Sequence, residues 1–254
     1  MSRRTAPGVD LGRPRAVEIG MARLTLIVAV WMWAAACAQP GPTGEPPAPP
    51  ASARAQPRPA APAEEWRDLF NGRDLAGWSA PMGDPAAWAV SNGEIVSAIP
   101  GKGEWLTTDE AFGDFELEVE FFLPVGANTG VGIRTASVGD PSYGGFEIQL
   151  NDTAGAEPSA TNAGAVYRVA PARVMAIRPG AWNRLRVRVA GDRLDAWLNG
   201  RRIHDGVRLP RREVDRARPG GGRRGRIALQ DNNGSARFRV VRVRPVRGLL
   251  SPAR

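Results

Sequence analysis

The sequence predicts an all-β fold, a two-sheet antiparallel β-sandwich over residues 64–246, and three observations carry that reading. In Phe115-Glu116-Leu117-Glu118-Val119-Glu120-Phe121 apolar and acidic residues alternate strictly, and Arg184-Leu185-Arg186-Val187-Arg188-Val189 repeats the pattern with arginine. A period of two sends successive side chains to opposite faces of a strand, so each segment offers one face to a core and one to water. Asn199-Gly200, between Leu194–Leu198 and Arg202–His204, is the two-residue hairpin signal that supplies positive φ at both central positions. Turn residues recur about every 8–12 positions and no segment carries a helical stripe, which together point to a sandwich or jelly roll.

The rest of the chain divides by composition. Residues 1–37 read as an export signal region: Arg23 supplies positive charge, Leu24 to Ala36 is a thirteen-residue apolar run, and small residues lead to Cys37. A membrane span needs about 20 residues, so this run has the length of a signal core instead. Met21 is an alternative start, because Met1 to Gly20 adds nothing that a signal needs. Ala34-Ala35-Ala36-Cys37 resembles a lipobox, with Ala34 where Leu is usual, and makes Cys37 the candidate lipidation site. The expected location is the periplasm or the outer membrane, with attachment through the lipid. Residues 38–63 are a Pro/Ala-rich linker, too poor in large apolar groups to order itself. Within the domain, Phe238, Val240 and Val243 alternate with Arg239 and Arg242, but the Val240-Val241 doublet breaks phase and predicts a bulge. Residues 211–224, with Pro219-Gly220-Gly221-Gly222, read as a surface loop, and 247–254 form a C-terminal tail.

Charge narrows the choice of partner. The formal net charge is +8, yet residues 1–65 carry net +2 and residues 201–226 carry net +7, leaving the remainder near −1. The basic residues are arginines except Lys102, and they collect in a tail and one loop rather than on an aromatic sheet face. Nucleic-acid binding is therefore not expected. One cysteine excludes an intrachain disulfide and a cysteine zinc cluster, and one histidine, His204, excludes a multi-histidine metal centre. Any divalent metal would have to be held by oxygen ligands.

Ordered blocks across the domain resemble one family. Leu69-Phe70-Asn71-Gly72-Arg73-Asp74-Leu75-Ala76-Gly77-Trp78 is similar to the opening "LFNGKDLxGW" of the 3-keto-disaccharide hydrolase domain family. Phe112-Gly113-Asp114-Phe115-Glu116-Leu117 resembles its "YGDFEL", Asn128 to Arg134 its "NSGIFLR", and Gly145-Phe146-Glu147-Ile148-Gln149-Leu150 its "GYEIQI". Gly164-Ala165-Val166-Tyr167, Gly180-Ala181-Trp182-Asn183 and Gly225 to Asp231 continue the series in the family's order. The resemblance implies a concanavalin/laminin-G-like jelly roll and an activity on glycosides already oxidised to a ketone at sugar carbon 3. That ketone acidifies the C2 hydrogen; a base removes it and the resulting enediolate expels the C1 substituent, leaving a 2-hydroxy-3-keto-glucal that some members hydrate. Such chemistry needs a base, a donor to the anionic oxygen and partners for sugar hydroxyls.

On this resemblance the catalytic candidates are Glu147, Asp231 and Arg134: Glu147 as base, Asp231 as a second acid/base and Arg134 as oxyanion stabiliser facing the cleft. Glu147 and Gln149 lie two apart and so share a strand face. Candidates for substrate binding are Gln149, Asn151, Asp152, Tyr167, Gln230, Asn232 and Trp105. Asn232 is the informative departure, since relatives commonly carry histidine there. His204 falls in the hairpin, away from these blocks, as a surface or packing residue, and Trp66, Trp78, Trp88, Trp182 and Trp197 are expected mostly in the core. Two functions follow: a 3-keto-glycoside hydrolase or lyase acting on an oxidised sugar, or a non-catalytic carbohydrate-binding module on an envelope lipoprotein. A structural or partner-binding module is a third, with the 211–224 loop as its place.

Overall fold

The computed structural model describes residues 65–137, 139–211, 222–233 and 236–246. The expected signal region through Cys37, the linker, residues 212–221 of the Arg/Gly loop and the tail lie outside the described residues. The chain runs through β1 (Arg67–Asp68), β2 (Trp78–Met82), β3 (Trp88–Ser91), β4 (Glu94–Ser97), β5 (Glu104–Thr108), β6 (Phe115–Leu123) and β7 (Asn128–Thr135). It continues through α1 (Pro141–Gly144), β8 (Phe146–Asn151), β9 (Ala181–Ala190), β10 (Arg193–Leu198), β11 (Arg201–Arg208), β12 (Arg226–Asp231) and β13 (Arg237–Pro245). An eight-stranded sheet has the order β11-β10-β9-β6-β13-β4-β3, with β1 paired to β13, and a five-stranded sheet has the order β2-β5-β12-β7-β8. The strand pairs are antiparallel, so the two-sheet sandwich expected from alternation is the fold observed.

The core lies between the sheets. Phe115, Leu117, Val119, Phe121 and Leu123 of β6 and Leu185, Val187 and Val189 of β9 bury one face of the large sheet. Leu106, Val131, Ile133, Ile148, Leu150 and Leu229 meet them from the small sheet. The Asn199-Gly200 hairpin forms between β10 and β11, with φ of 52° and 78° at the two residues. The register of β13 against β6 shifts between Phe238 and Val240, at the doublet that breaks phase in the sequence.

Two expectations are corrected on the outer face of the large sheet. The acidic face of β6 is not wet, for Glu116 and Glu118 are only 8% and 6% exposed. Glu116 Oε2 accepts from Arg186 Nη2 and Arg244 Nη2, each at 2.6 Å, Glu118 from Arg184 and Arg242, and Glu120 from Arg239. Long arginines from β9 and β13 thus cover the central glutamates. Trp66, Trp182 and Trp197 are half-buried on that face rather than in the core, each with two guanidinium groups over its ring. Arginine is planar and weakly hydrated, so stacking on indole keeps both partly dry. Trp78 and Trp88 are buried as expected.

Candidate functional site

The functional question centres on the face of the small sheet that points away from the core. Strand alternation puts Val131, Ile133, Ile148 and Leu150 inside, so Gly130, Gly132, Glu147 and Gln149 fall on the outer face. Register aligns them in two transverse rows. Thr107 of β5 pairs with Ala228 of β12, Ala228 with Gly132 of β7, and Gly132 with Glu147 of β8. Trp105 pairs with Gln230, Gln230 stands one residue beyond the Leu229–Val131 pair, and Gly130 pairs with Gln149. Each row has a glycine in its middle.

Those glycines make the space. A Cβ at Gly130 would collide with the Glu147 carboxylate, and one at Gly132 would meet Thr135, Ala228 and the Trp105 ring. Glycine here is required by close approach, not by a turn. The strip between β12 and β8, about 10 Å from strand to strand, is a glycine-floored trough into which the Glu147 carboxylate reaches over Gly130 and the Trp105 ring and Thr135 reach over Gly132.

The walls carry unsatisfied oxygens. Thr107 Oγ1, Glu147 Oε1, Gln230 Oε1 and Asn128 Oδ1, the last at the start of β7 on the same face, are buried and find no hydrogen-bond partner in the protein. An unmade hydrogen bond to a buried polar group costs about 1–3 kcal/mol, so four on one face single that face out as the candidate site. Gln149 Oε1 accepts from Leu150 N at 3.0 Å, which leaves its Nε2 to donate into the trough. Glu147 is 2% exposed, and burial, with the charge of Asp140 adding to it, pushes its carboxyl up to about 7. A carboxyl so placed takes and returns protons near neutrality.

Beside the trough lies a hollow of about 230 Å³ lined by Gly101, Glu104, Trp105, Gln230, Asp231 and Asn232. Four sequence candidates meet there. Asp231 is 5% exposed, and its Oδ2 accepts from Ser97 Oγ and Gly103 N, each at 3.0 Å. It therefore fastens β12 to β4 of the other sheet while standing at the hollow's wall. Tyr167 joins from the other edge: residues 163–167 run along β8, Tyr167 N donates to Glu147 O at 2.8 Å, and Val166 bridges Ile148. Tyr167 thus stands across from Glu147 on the same face.

Other candidates stand elsewhere. Arg134 has a φ of 51°, and this left-handed residue sits where the register of β12 on β7 shifts, so Thr135 takes the outer face. The Arg134 side chain is 4% exposed; Nη2 donates to Asp114 Oδ1 at 2.8 Å and Nη1 to Gly191 O at 2.6 Å. It lies at one end of the sandwich, in a separate cavity of about 610 Å³ with Phe146, Arg208 and Arg223. Asn151 Nδ2 donates to Thr161 O and its Oδ1 accepts from Thr153 Oγ1, while Asp152 Oδ2 accepts from Gly126 N at 2.7 Å. Both hold loops. His204 is fully buried and donates from Nε2 to Gly164 O at 2.6 Å, tying β11 to the segment along β8. Among the described residues no three His, Cys, Asp or Glu side chains gather as a metal cage, so no step below is routed through a metal. Sequence reasoning passed over Thr107, Gly130 and Gly132. The signal available was the small-residue alternation Gly130-Val131-Gly132, facing Glu147 and Gln149 on the next strand.

Fold and trough together define a β-sandwich with buried, unmatched polar groups gathered on the outer face of its smaller sheet. The sequence profile of the 3-keto-alpha-glucoside-1,2-lyase-like domain matches residues 65–244, and the chain belongs to that family. Its role is accordingly carbohydrate-related. Two solved structures of candidate glycosyl hydrolases from Parabacteroides distasonis share the fold. One has 22% identity and a TM-score of 0.56, covering 72% of this chain and 94% of that one. The other has 24% identity and a TM-score of 0.56, covering 72% of this chain and 100% of that one. None of the curated proteins compared with the chain matches it.

Proposed function

We propose that the domain cleaves 3-keto-glycosides by removing the C2 proton and eliminating the C1 substituent. The observation that carries this reading is Glu147: a buried carboxyl with an unpartnered oxygen, pushed up to about 7, lying over the glycine floor. Ionised Glu147 takes the C2 proton, made acidic by the adjacent ketone, and the C2–H electron pair forms an enediolate. Gln149 Nε2 donates to the anionic oxygen, where a preorganised donor is worth most. The enediolate then collapses to a C1–C2 double bond, and the C1–O bond breaks with its electron pair going to the leaving oxygen. Protonated Glu147 or water supplies that oxygen with a proton. Thr107 Oγ1 and Gln230 Oε1 accept from sugar hydroxyls, which satisfies the oxygens left unpaired in the protein. Asp231 holds the wall that carries Gln230. Arg134 has no chemical step and acts as a strut.

Incubation with a 3-keto-glucoside is expected to release the aglycone and a new enone absorbance, lost in Glu147→Gln. No turnover by the native chain, or full turnover by Glu147→Gln, would reject this mechanism. A second reading, a non-catalytic sugar-binding module, is favoured by Asn232 standing exposed at the hollow where relatives commonly carry histidine. It requires binding of the same glycoside without release of aglycone. We also propose that the chain is exported and held at the periplasmic side of a membrane by lipid on Cys37. Labelled palmitate should be incorporated by the full-length protein and not by Cys37→Ala.

A further inference from the structure

The sequence has two tyrosines, and both pack on one arginine. The Arg168 guanidinium lies 5.0 Å from the Tyr167 ring centroid and 5.9 Å from that of Tyr143, and its Nη1 donates to Tyr143 Oη at 3.1 Å. Tyr167 stands across from Glu147 on the trough face, so the guanidinium over its ring sits at the trough's open edge. Tyr143 is 59% exposed, one of three large apolar side chains on the surface of the described residues. Arg168 itself is exposed. Other arginines of the domain, such as Arg173, Arg184, Arg186 and Arg202, are tied to carboxylates, whereas Arg168 has none among the described residues. Its backbone also has a φ of 57°, where an arginine is disfavoured and glycine would be free. A strained backbone kept for a side chain marks a side chain that is used.

Geometry decides what it is used for. The guanidinium carries five N–H groups, of which the tyrosine hydroxyls engage only part, leaving an edge of this exposed side chain for a ligand. That edge matches two oxygens of a carboxylate in bidentate fashion, which an ammonium could not do. Asp140, the N-cap of α1, accepts at Oδ1 from Ser142 N and Ser142 Oγ at 2.8 and 2.7 Å and is not ion-paired with Arg168. Arg168 is exposed, whereas the Glu147 carboxylate is buried over Gly130, so the two do not share the reacting centre. Arg168 reaches the part of a ligand that projects past the sheet edge.

We propose that Arg168, clamped by Tyr143 and Tyr167, is an anion subsite for the group leaving from C1, and that the preferred glycoside carries a carboxylate there, as in a glucuronate. This rests on the trough holding the 3-keto sugar. The test uses two 3-keto-glucosides that differ only in carrying glucuronate or glucose as the leaving sugar. Binding is measured by calorimetry at low salt in a Glu147→Gln background, where no turnover intrudes. The glucuronate compound is expected to bind about tenfold more tightly, a modest exposed charge-assisted pair. Adding Arg168→Gln should bring the ratio to about one, and Tyr143→Ala, which loosens the clamp, should reduce it partway. Equal binding of the two compounds, a ratio that survives Arg168→Gln, or binding of neither overturns the subsite. Turnover by the native chain is read separately. Cleavage of both compounds without a binding preference defeats the subsite alone, and a preference without cleavage defeats the proposed reaction alone.

Discussion

If Glu147 is a buried carboxyl that titrates near 7, it weakens the fold wherever it is ionised, and Glu147→Gln should reveal this. The carboxyl moves from 4.5 when unfolded to about 7 when folded. At about 1.4 kcal/mol per unit, full ionisation of the buried group costs the native state about 3 kcal/mol. Below pH 4.5 both states bind the proton and the group contributes no pH dependence. Between 4.5 and about 7 the folded chain retains the proton while the unfolded chain has released it, so native stability falls as pH rises. Above about 7 both are ionised and the loss is complete. Urea unfolding of the wild type and Glu147→Gln at intervals from pH 4 to 8.5 should therefore give a stability difference that widens with pH. The variant should be the more stable by about 3 kcal/mol on the alkaline side. The rate with a 3-keto-glucoside should rise around pH 7, where the folded carboxyl ionises, because the ionised base is the active form. Asp140→Asn should move both midpoints to lower pH. Parallel unfolding curves for the two proteins, or a rate that is flat across pH 6–8, would refute the assignment.

Other parts of the structure give equally direct outcomes. Gly130→Ala should fold, since its φ is ordinary and the clash is with a side-chain end, yet lose at least tenfold in kcat by displacing the Glu147 carboxylate. Arg134→Met strands the Gly191 carbonyl and leaves Asp114 only Gly191 N as a partner, and denaturation should show a loss of about 2 kcal/mol, discounted because Asp114 is partly exposed. The folded fraction of that variant should keep its KM. Burial would raise Glu116, but hydrogen bonds and charge from Arg186 and Arg244 outweigh it and hold its carboxyl below the usual range. Glu116→Gln should cost about 2 kcal/mol at pH 7, discounted because the arginines are partly exposed. That contribution is present above the unfolded value of 4.5 and lost as pH falls through the lower folded value, so the two unfolding curves should converge in acid.

How far the sequence showed all this depends on whether a feature is local. The alternation in β6 and β9, the Asn199-Gly200 hairpin and the phase break at Val240-Val241 are written in neighbouring residues, and the structure has each of them. The pairing of Glu147 with Gln149 on one face was legible for the same reason. Arg134 shows where local reading stops. Parity along β7 puts it with Gly130 and Gly132, facing the trough, but its left-handed backbone turns the strand and sends it to Asp114 and Gly191. Nothing beside it in the chain announces the change; the cause is an ion pair with a residue twenty positions earlier. The dry glutamates of β6 depended likewise on which strands flank them, since burial came from arginines on β9 and β13.

The two outer faces of the sandwich handle polar groups in opposite ways, and the difference locates function. On the large sheet every β6 glutamate is matched by arginines from both neighbouring strands, and the tryptophans are matched in turn by guanidinium planes. That face is matched almost throughout, Arg186 Nε being the exception, and its charges stiffen the scaffold. On the small sheet the corresponding positions are glycines, and the polar groups around them, Thr107, Glu147 and Gln230, are buried with oxygens unmatched. A satisfied network adds stability, whereas unmatched groups subtract it, by about 1–3 kcal/mol for each such oxygen. A fold can carry the second only because the first, with the core between, supplies the margin. In the reaction proposed here, the stability given up at the small sheet is recovered when a sugar hydroxyl donates to Thr107 or Gln230 and the C2 proton passes to Glu147. A chain with the trough filled, as by alanine at Gly130, would be tighter and inert.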